Sequence, residues 1–210
     1  MAQPPVERTK LTFRRLSGLD RSGPPPPQTM SGQPWRPWTI PNAIGYVRLA
    51  LIPVFLLLAF SSDDGTDPLP VIIFAVVGWS DYLDGIAARV TGQYSRLGTL
   101  LDPLVDRLLV LSGAVVCWHF ELLPRWALAV LVAREVFMLG AVLLALRLGL
   151  DLHINWLGRI FVWPTMGAFG AALFGWEGLG EALLYIGVAG SIAATVQYGR
   201  DAVRELGKAA

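Results

Sequence analysis

The sequence contains one cysteine and two histidines among its 210 residues. Cys117 lies within an apolar run, so the chain can form neither a disulfide framework nor a cysteine-based metal site. His119 and His153 lack the spacing of metal ligands, and the topology inferred below places them at opposite edges of a membrane. We therefore expect neither cysteine nor histidine to bind a metal ion in this chain.

Charged residues are also scarce, at 16% of the chain, whereas 54% of the residues are hydrophobic. This composition is too apolar for a soluble domain and indicates one integral membrane unit. The formal net charge of +1 carries no information about partners. We expect membrane lipids, and no nucleic acid, as partners of such a chain.

Residues 1–37 differ from the rest of the chain because they combine eight prolines with polar and basic residues. This composition predicts a disordered cytoplasmic tail. No apolar segment follows the basic residues before position 40, so we do not expect a signal peptide. Translation starts at Met1 or at Met30, and the basic residues of the tail either bind anionic lipid or remain solvated.

Six hydrophobic segments follow the tail. They span about residues 42–60, 70–90, 98–119, 124–147, 157–175 and 179–198. Joined by short loops, they predict an all-α integral membrane domain of six transmembrane helices over residues 38–199, followed by a cytoplasmic tail over residues 200–210. Thirteen Lys and Arg residues lie on one side of this arrangement, and Arg125 alone lies on the other. The positive-inside rule therefore places both termini in the cytoplasm, at the plasma (inner) membrane.

Four aspartates interrupt the second and third hydrophobic segments. Asp81 and Asp84 are three residues apart and Asp102 and Asp106 are four apart, so each pair lies on one face of a helix. A short polar turn between the helices brings both pairs to a similar depth on the cytoplasmic side. Each carboxylate costs about 2.5 to 3.5 kcal/mol at the centre of a membrane helix. A bound cation would offset this cost, and all-oxygen ligation suits Mg²⁺ or Mn²⁺.

These aspartates belong to a longer pattern, D-x2-D-G-x2-A-R-x8-G-x3-D-x3-D. Its other fixed positions are Gly85, Ala88, Arg89 and Gly98. The pattern resembles, at all eight positions, the signature of the CDP-alcohol phosphotransferases, and in particular the branches that make phosphatidylglycerophosphate or cardiolipin. Members of that family are six-helix membrane enzymes that transfer a substituted phosphate group from a CDP-linked donor to an alcohol and release CMP.

The resemblance implies that the aspartates form the catalytic centre. Asp81, Asp84 and Asp102 would hold Mg²⁺ or Mn²⁺, and Asp81 would also contact the donor. Asp106 would be catalytic, either as the general base or as a ligand of a second metal ion. In an alternative interpretation the aspartates only form salt bridges. This would require four buried ion pairs, and it does not explain why the pattern contains Gly85 and Gly98. The basic residues available for those pairs are Arg48, Arg107 and Arg134.

The resemblance also implies a binding site for the donor, CDP-diacylglycerol. Gly85 removes a side chain where the nucleotide approaches the backbone, Arg89 can neutralise diphosphate oxygens, and Gly98 belongs to the same site. The first helix opens with a segment similar to the family's IPN-x-(L/I)-T-x2-R, in which Asn42 caps the helix or contacts the donor. Gly45 stands where the family usually has Thr.

Arg134 and Arg159 are the candidates for binding the phosphate of the acceptor. In the glycerol-phosphate branch of the family, an A-R-E segment and a later basic segment bind this phosphate, and Arg134, Glu135 and Arg159 stand in similar positions. We therefore place glycerol 3-phosphate first as the acceptor. The alternative is phosphatidylglycerol, which gives cardiolipin and for which Phe161, Val162 and Trp163 would form an apolar groove. Inositol phosphate is a third choice.

Two other functional classes use carboxylates within membranes. Intramembrane prenyltransferases also pair Asp-rich helices around Mg²⁺, but they need more than six helices and lack the D-G-x2-A-R pattern. A cation transporter would use the carboxylates as an ion path, but it would show broken helices or two matching halves. A homodimer is compatible with the family resemblance, because homodimers are frequent in that family.

Overall fold

The computed structural model describes residues 34–148 and 156–209, and this part of the chain contains helices and no β-strand. In chain order the helices are α1 (Ile40–Phe60), α2 (Pro68–Thr91), α3 (Gly98–His119), α4 (Arg125–Leu148), α5 (Trp156–Leu173) and α6 (Glu177–Ala209). The prediction of an all-α chain with six helices is confirmed for these residues. The predicted bounds of the first five helices lie within two residues of the observed bounds.

Some expectations concern residues outside the described part of the chain. They include almost all of the predicted disordered tail, the alternative start at Met30, and the position of His153. At the other terminus, the backbone of α6 continues as a helix through residues 200–209, which the sequence predicts as a tail. The side chains beyond Arg200 lie outside the described set.

Local sequence signals explain the turn between α2 and α3. Gly92 follows the last residue of α2 and has a φ angle of +65°, a left-handed conformation that glycine adopts without strain. Ser95 then caps α3, because its Oγ accepts a hydrogen bond from the backbone N–H of Gly98 at 2.9 Å. The turn is therefore as short as the sequence predicts, and it places Asp84 and Asp102 on consecutive helices.

Among the residues that the structure describes, three helices are long and apolar enough to cross a membrane: α1, α2 and the segment Glu177–Gln197 of α6. Within α5, the apolar stretch Phe161–Leu173 is shorter. Helix α3 carries Asp102, Asp106 and Arg107 in its first three turns, so its apolar character is interrupted. Many large apolar side chains of the described helices are exposed, as expected for helices that face lipid. The chain is therefore a membrane protein, whereas the six spans and the cytoplasmic termini stay predictions.

Backbone contacts divide the described chain into two compact units. The first comprises residues 34–50 and 79–105, and the second comprises residues 51–78, 106–148 and 156–209. The second unit has an aromatic core in which Phe55 and Phe169 are fully buried and Phe74 is nearly so. The ring centroid of Phe74 lies 5.3 Å from that of Phe55 and 6.2 Å from that of Phe169. Such ring pairs stabilise a core beyond the area that they bury.

Helix α6 packs along α5 and also contacts α4 within the second unit. Two glycines of α6 permit this close approach. A Cβ atom at Gly190 would lie 1.9 Å from Cδ1 of Phe161, and one at Gly187 would lie 2.4 Å from Oγ1 of Thr165. Small residues at helix contacts are typical of membrane proteins. The packing positions Phe161 and Thr165 beside α6, where both line a cavity described below.

Candidate active site

The four aspartates of the pattern lie on the two helices that flank the short turn. Asp81 and Asp84 are one turn apart on α2, and Asp102 and Asp106 are one turn apart on α3. The Asp84 side chain is 5% exposed, whereas that of Asp81 is 47% exposed. Asp102 and Asp106 are half-buried. The first pair therefore combines one carboxylate enclosed by protein with one that remains accessible.

Arg48 of α1 joins the first pair of carboxylates. Its Nη1 atom donates a hydrogen bond to Oδ1 of Asp81 at 3.1 Å and another to Oδ2 of Asp84 at 2.9 Å. The Arg48 side chain is 1% exposed, so both contacts are made within the protein. Of the three basic residues available to pair with the aspartates, Arg48 contacts two of these aspartates. Arg107 and Arg134, the other two arginines considered as partners of the aspartates, have ion pairs with Glu135 instead.

The carboxylate pair of α2 fits a hard divalent cation in two respects. Carboxylate oxygens are the ligands that Mg²⁺ and Mn²⁺ prefer, and one oxygen each of Asp81 and Asp84 already converges on a single cationic nitrogen. Among the side chains that the structure describes, no three His, Cys, Asp or Glu lie close enough together to hold a metal ion. The complete metal site that includes Asp102 and Asp106 therefore stays a prediction.

Asn42 lies at the start of α1, and its side chain is fully engaged by the protein. Nδ2 donates hydrogen bonds to the backbone carbonyls of Arg36 at 3.0 Å and Pro37 at 3.1 Å. Oδ1 accepts a hydrogen bond from Oγ of Ser95 at 2.9 Å. Asn42 is 1% exposed, so in this structure it ties the segment before α1 to the α2–α3 turn. Its contact with the donor stays a prediction.

Gly98, the second glycine of the pattern, belongs to the same network. A Cβ atom at this position would lie 2.8 Å from Oδ1 of Asn42 and 3.1 Å from Oγ of Ser95. The glycine therefore leaves room for the hydrogen bond between those two side chains. Ser95 was predicted only as part of the polar turn, and its contacts with Gly98 and Asn42 were not predicted.

Trp35 and Gln93 add further contacts between the segment before α1 and the turn. The guanidinium of Arg96 lies 4.7 Å from the ring centroid of Trp35, and the N–H of Leu97 donates to the carbonyl of Trp35 at 3.4 Å. Oε1 of Gln93 accepts from the N–H of Ile40 at 3.0 Å. No local sequence signal identifies these contacts, because each joins residues more than 50 positions apart.

The remaining glycines near the pattern are explained by neighbouring side chains. Arg89 folds back along α2 so that its Nε donates to the carbonyl of Gly85 at 2.6 Å, and a Cβ atom at Gly85 would lie 2.7 Å from Nη2 of Arg89. At Gly45, a Cβ atom would lie 2.6 Å from Cδ2 of Leu101. Leu101 therefore fills the space that the family's usual Thr would need.

A second cluster of charged side chains lies within the second unit. Glu135 of α4 has ion pairs with Nη1 of Arg134 and with Nε of Arg107, the latter at 3.7 Å. Nε of Arg134 also donates to Oγ1 of Thr195 at 3.3 Å. Two arginines and one glutamate give this cluster a formal charge of +1. Arg159, the other predicted acceptor residue, belongs to α5, but its side chain is outside the described set.

Arg134 and Glu135 line a small cavity between α3, α4, α5 and α6. Its other lining residues are Val110, Leu131, Phe161, Val162, Thr165 and Ser191. The cavity volume is about 20 Å³, which is room for about one water molecule. An acceptor could enter only if the helices around the cavity moved apart. The lining combines a charged end with a largely apolar wall.

Comparison with known proteins places this geometry in a family. The model of the CDP-alcohol phosphatidyltransferase family matches residues 38–193, which include both aspartate pairs and the Arg134 cluster. The cardiolipin synthase (CMP-forming) of Streptomyces coelicolor is 39% identical, with 66% of this chain and 73% of the relative covered. The CDP-diacylglycerol–glycerol-3-phosphate 3-phosphatidyltransferase of Bacillus subtilis is 32% identical, with 65% of this chain and 77% of the relative covered.

The human cardiolipin synthase (CMP-forming) is 36% identical, but the similarity covers only 50% of this chain and 35% of the relative. With about three quarters of its length matched by the family model, the chain belongs to the CDP-alcohol phosphatidyltransferase family. It is a membrane-bound transferase of phospholipid synthesis. The resemblance inferred from the aspartate pattern is confirmed.

Proposed function

We propose that this enzyme transfers the phosphatidyl group of CDP-diacylglycerol to phosphatidylglycerol, which produces cardiolipin and CMP. The observation that carries this choice is the charge of the cluster that joins Arg107 of α3 to Arg134 and Glu135 of α4. Glu135 pairs with both Arg107 and Arg134, so the described cluster has a net charge of +1. A phosphodiester carries one negative charge and matches that value, whereas a phosphate monoester close to two negative charges needs a second cation.

The apolar wall of the cavity also supports a lipid acceptor. Phe161 and Val162 of α5 lie beside Arg134, and Val110 and Leu131 complete the wall. A cavity of about 20 Å³ does not hold a hydrocarbon chain. If the helices around it moved apart, these apolar side chains would contact the chains of a lipid acceptor, whereas a small polar acceptor gains nothing from such contacts. The similarity to the cardiolipin synthase of Streptomyces coelicolor favours the same choice.

Glycerol 3-phosphate, placed first by the sequence, remains the second candidate. It is supported by the A-R-E segment with Arg134 and Glu135, and by the similarity to the Bacillus subtilis enzyme. Arg159 would be the additional cation that this acceptor needs. The two acceptors thus differ in the positive charge that the cavity must supply. Glycerol 3-phosphate needs one more positively charged side chain than phosphatidylglycerol does.

The residues of the aspartate pattern would perform the transfer. Asp81, Asp84, Asp102 and Asp106 would hold Mg²⁺ or Mn²⁺, which supplies charge neutralisation for the donor diphosphate when it is bound. Arg89 would hold diphosphate oxygens by charge-assisted hydrogen bonds. These assignments are carried over from the family pattern.

Asp106 would accept the proton of the acceptor hydroxyl. The acceptor oxygen then forms a bond to the phosphorus of the phosphatidyl group. The bond from this phosphorus to the bridging oxygen of the diphosphate breaks, and its electron pair leaves with CMP. We place this reaction at the cytoplasmic side of the plasma membrane, because the positive-inside rule puts the α2–α3 turn on that side.

The direct experiment supplies CDP-diacylglycerol to the purified full-length protein in detergent micelles with Mg²⁺ or Mn²⁺. Phosphatidylglycerol and glycerol 3-phosphate are added in separate reactions, and the release of CMP is measured. We expect CMP release with phosphatidylglycerol. Release with glycerol 3-phosphate alone would replace this proposal by the second candidate, and release with neither would contradict both. The Asp106→Asn protein serves as the inactive control.

A further inference from the structure

The contacts of Arg48 raise the question of what balances the buried carboxylates before a metal ion binds. Asp81 and Asp84 carry two negative charges within one turn of α2, and the Asp84 side chain is 5% exposed. Carboxylates in such a site are stable only with a counter-charge or after protonation. Arg48 supplies one positive charge, and one of its nitrogen atoms contacts both carboxylates, at 3.1 and 2.9 Å.

We propose that Arg48 is a built-in counter-ion that holds Asp81 and Asp84 together in the metal-free enzyme, and that a divalent cation competes with Arg48 for these carboxylates. The inference rests on the proposed metal dependence of the reaction. Arg48 and a divalent cation are attracted to the same two carboxylates. Because the two cations repel each other, binding of the metal ion weakens the contact of Arg48 with Asp81 and Asp84.

This role differs from that of a residue that only stabilises the fold. A structural arginine would make the site rigid, and its loss would weaken metal binding because the carboxylates would lose their positions. A competing counter-ion has the opposite effect. Removing its positive charge strengthens the attraction between the carboxylates and a divalent cation, because two cations near the same carboxylates repel each other.

The experiment compares three variants of the full-length protein in detergent, without substrate. Arg48→Gln removes the charge, Arg48→Lys keeps it, and Arg125→Gln is the control because Arg125 forms an exposed ion pair with Glu121. Binding of MnCl₂ is followed by the electron paramagnetic resonance signal of free Mn²⁺. Thermal unfolding is recorded for each protein in EDTA and in saturating MnCl₂.

We expect Arg48→Gln to bind Mn²⁺ about tenfold more tightly than the wild type. In EDTA its melting temperature should fall below that of the wild type, and its gain in melting temperature on addition of MnCl₂ should be larger, because the metal replaces the missing charge. Arg48→Lys should bind Mn²⁺ within about threefold of the wild type, since it keeps the charge, and Arg125→Gln should be unchanged. Equal or weaker Mn²⁺ binding by Arg48→Gln would overturn the proposal.

Two further measurements apply if Arg48→Gln is too unstable to purify in EDTA. The protein is prepared in MnCl₂ and the metal is then chelated, and we expect unfolding on chelation only in this variant. The double variant Arg48→Gln/Asp81→Asn lacks one carboxylate charge and should regain melting temperature in EDTA. Failure of Arg48→Gln to fold even in saturating MnCl₂ would contradict the proposal.

The outcome is separable from that of the proposed function. If the wild type releases no CMP from CDP-diacylglycerol but Arg48→Gln binds Mn²⁺ more tightly, the counter-ion stands and the assigned reaction fails. If the wild type transfers the phosphatidyl group but Arg48→Gln binds Mn²⁺ more weakly, the reaction stands and the counter-ion fails.

Discussion

Replacing Glu135 by Gln removes the one negative charge of the α4 cluster while keeping the size of the side chain. Arg107 and Arg134 then lose their shared partner in a site where the Glu135 side chain is 10% exposed. Removing one partner of a buried ion pair costs about 3 to 5 kcal/mol. Because the arginines remain 23% and 15% exposed, solvent reduces the cost to about 2 to 3 kcal/mol. This corresponds to a fall in melting temperature of about 4 to 12 °C for a chain of this size.

The matched control is Glu121→Gln, which makes the same substitution in an exposed pair. Glu121 and Arg125 are 2.9 Å apart, but their side chains are 71% and 51% exposed. Pairs of this kind contribute about 0 to 1 kcal/mol, so the melting temperature should change by less than about 4 °C. Thermal unfolding of both variants in the same detergent measures the difference. Equal destabilisation by the two substitutions would refute the description of Glu135 as a buried shared partner.

The Glu135→Gln protein also tests how charge selects the acceptor. The substitution raises the formal charge of the cluster from +1 to +2, which should favour the more negative acceptor. We expect the ratio of kcat/KM for glycerol 3-phosphate to that for phosphatidylglycerol to rise by about threefold or more, equivalent to a differential interaction of about 0.7 kcal/mol. An unchanged ratio in a folded, active variant would show that this cluster does not contact the acceptor.

Three further predictions concern the other parts of the site. Asn42→Ala should lower the free energy of unfolding by about 2 to 3 kcal/mol, because the buried hydrogen-bond partners of Asn42 lose their contacts. Thermal unfolding measures this change, and a value below about 0.5 kcal/mol would contradict a structural role of the Asn42 hydrogen bonds. Asp106→Asn should lower kcat by about 10² to 10⁴ if Asp106 is the general base, and near wild-type turnover would exclude it. A cysteine in place of exposed Thr91 should react with an impermeant thiol reagent only from the cytoplasmic side, and one in place of exposed Asp63 only from the external side. Buried Cys117 should not react. The reverse pattern of labelling would invert the predicted topology.

The helices and the short turn could be predicted because their causes are local. Apolar runs of about 20 residues define the helices, and Gly92 with Ser95 supplies the turn and the cap of α3. The spacing of Asp81 and Asp84 likewise fixes them on one face of α2 without any tertiary information. The continuation of α6 beyond residue 198 was not predicted, because its apolar run ends there while its polar residues still favour a helix.

The partners of the arginines could be predicted only in part. The sequence identified Arg48 only as one of three basic residues available to the aspartates, because an arginine in an apolar helix needs a partner. The pairing of Glu135 with Arg107 could not be predicted from the sequence, because this contact joins α3 and α4 and depends on how the two helices are rotated against each other. The contact of Asn42 with Ser95 was not predicted either, because these residues are 53 positions apart in the sequence.

The most direct test of the proposed function uses a donor and an acceptor that carry different acyl chains. CDP-diacylglycerol with one pair of chains and phosphatidylglycerol with another are incubated with the purified protein and Mn²⁺, and the lipid product and CMP are measured by mass spectrometry. We predict cardiolipin that carries both pairs of chains, formed in equal amount with CMP. Absence of this mixed cardiolipin, together with formation of phosphatidylglycerophosphate when glycerol 3-phosphate is supplied, would contradict the proposed acceptor.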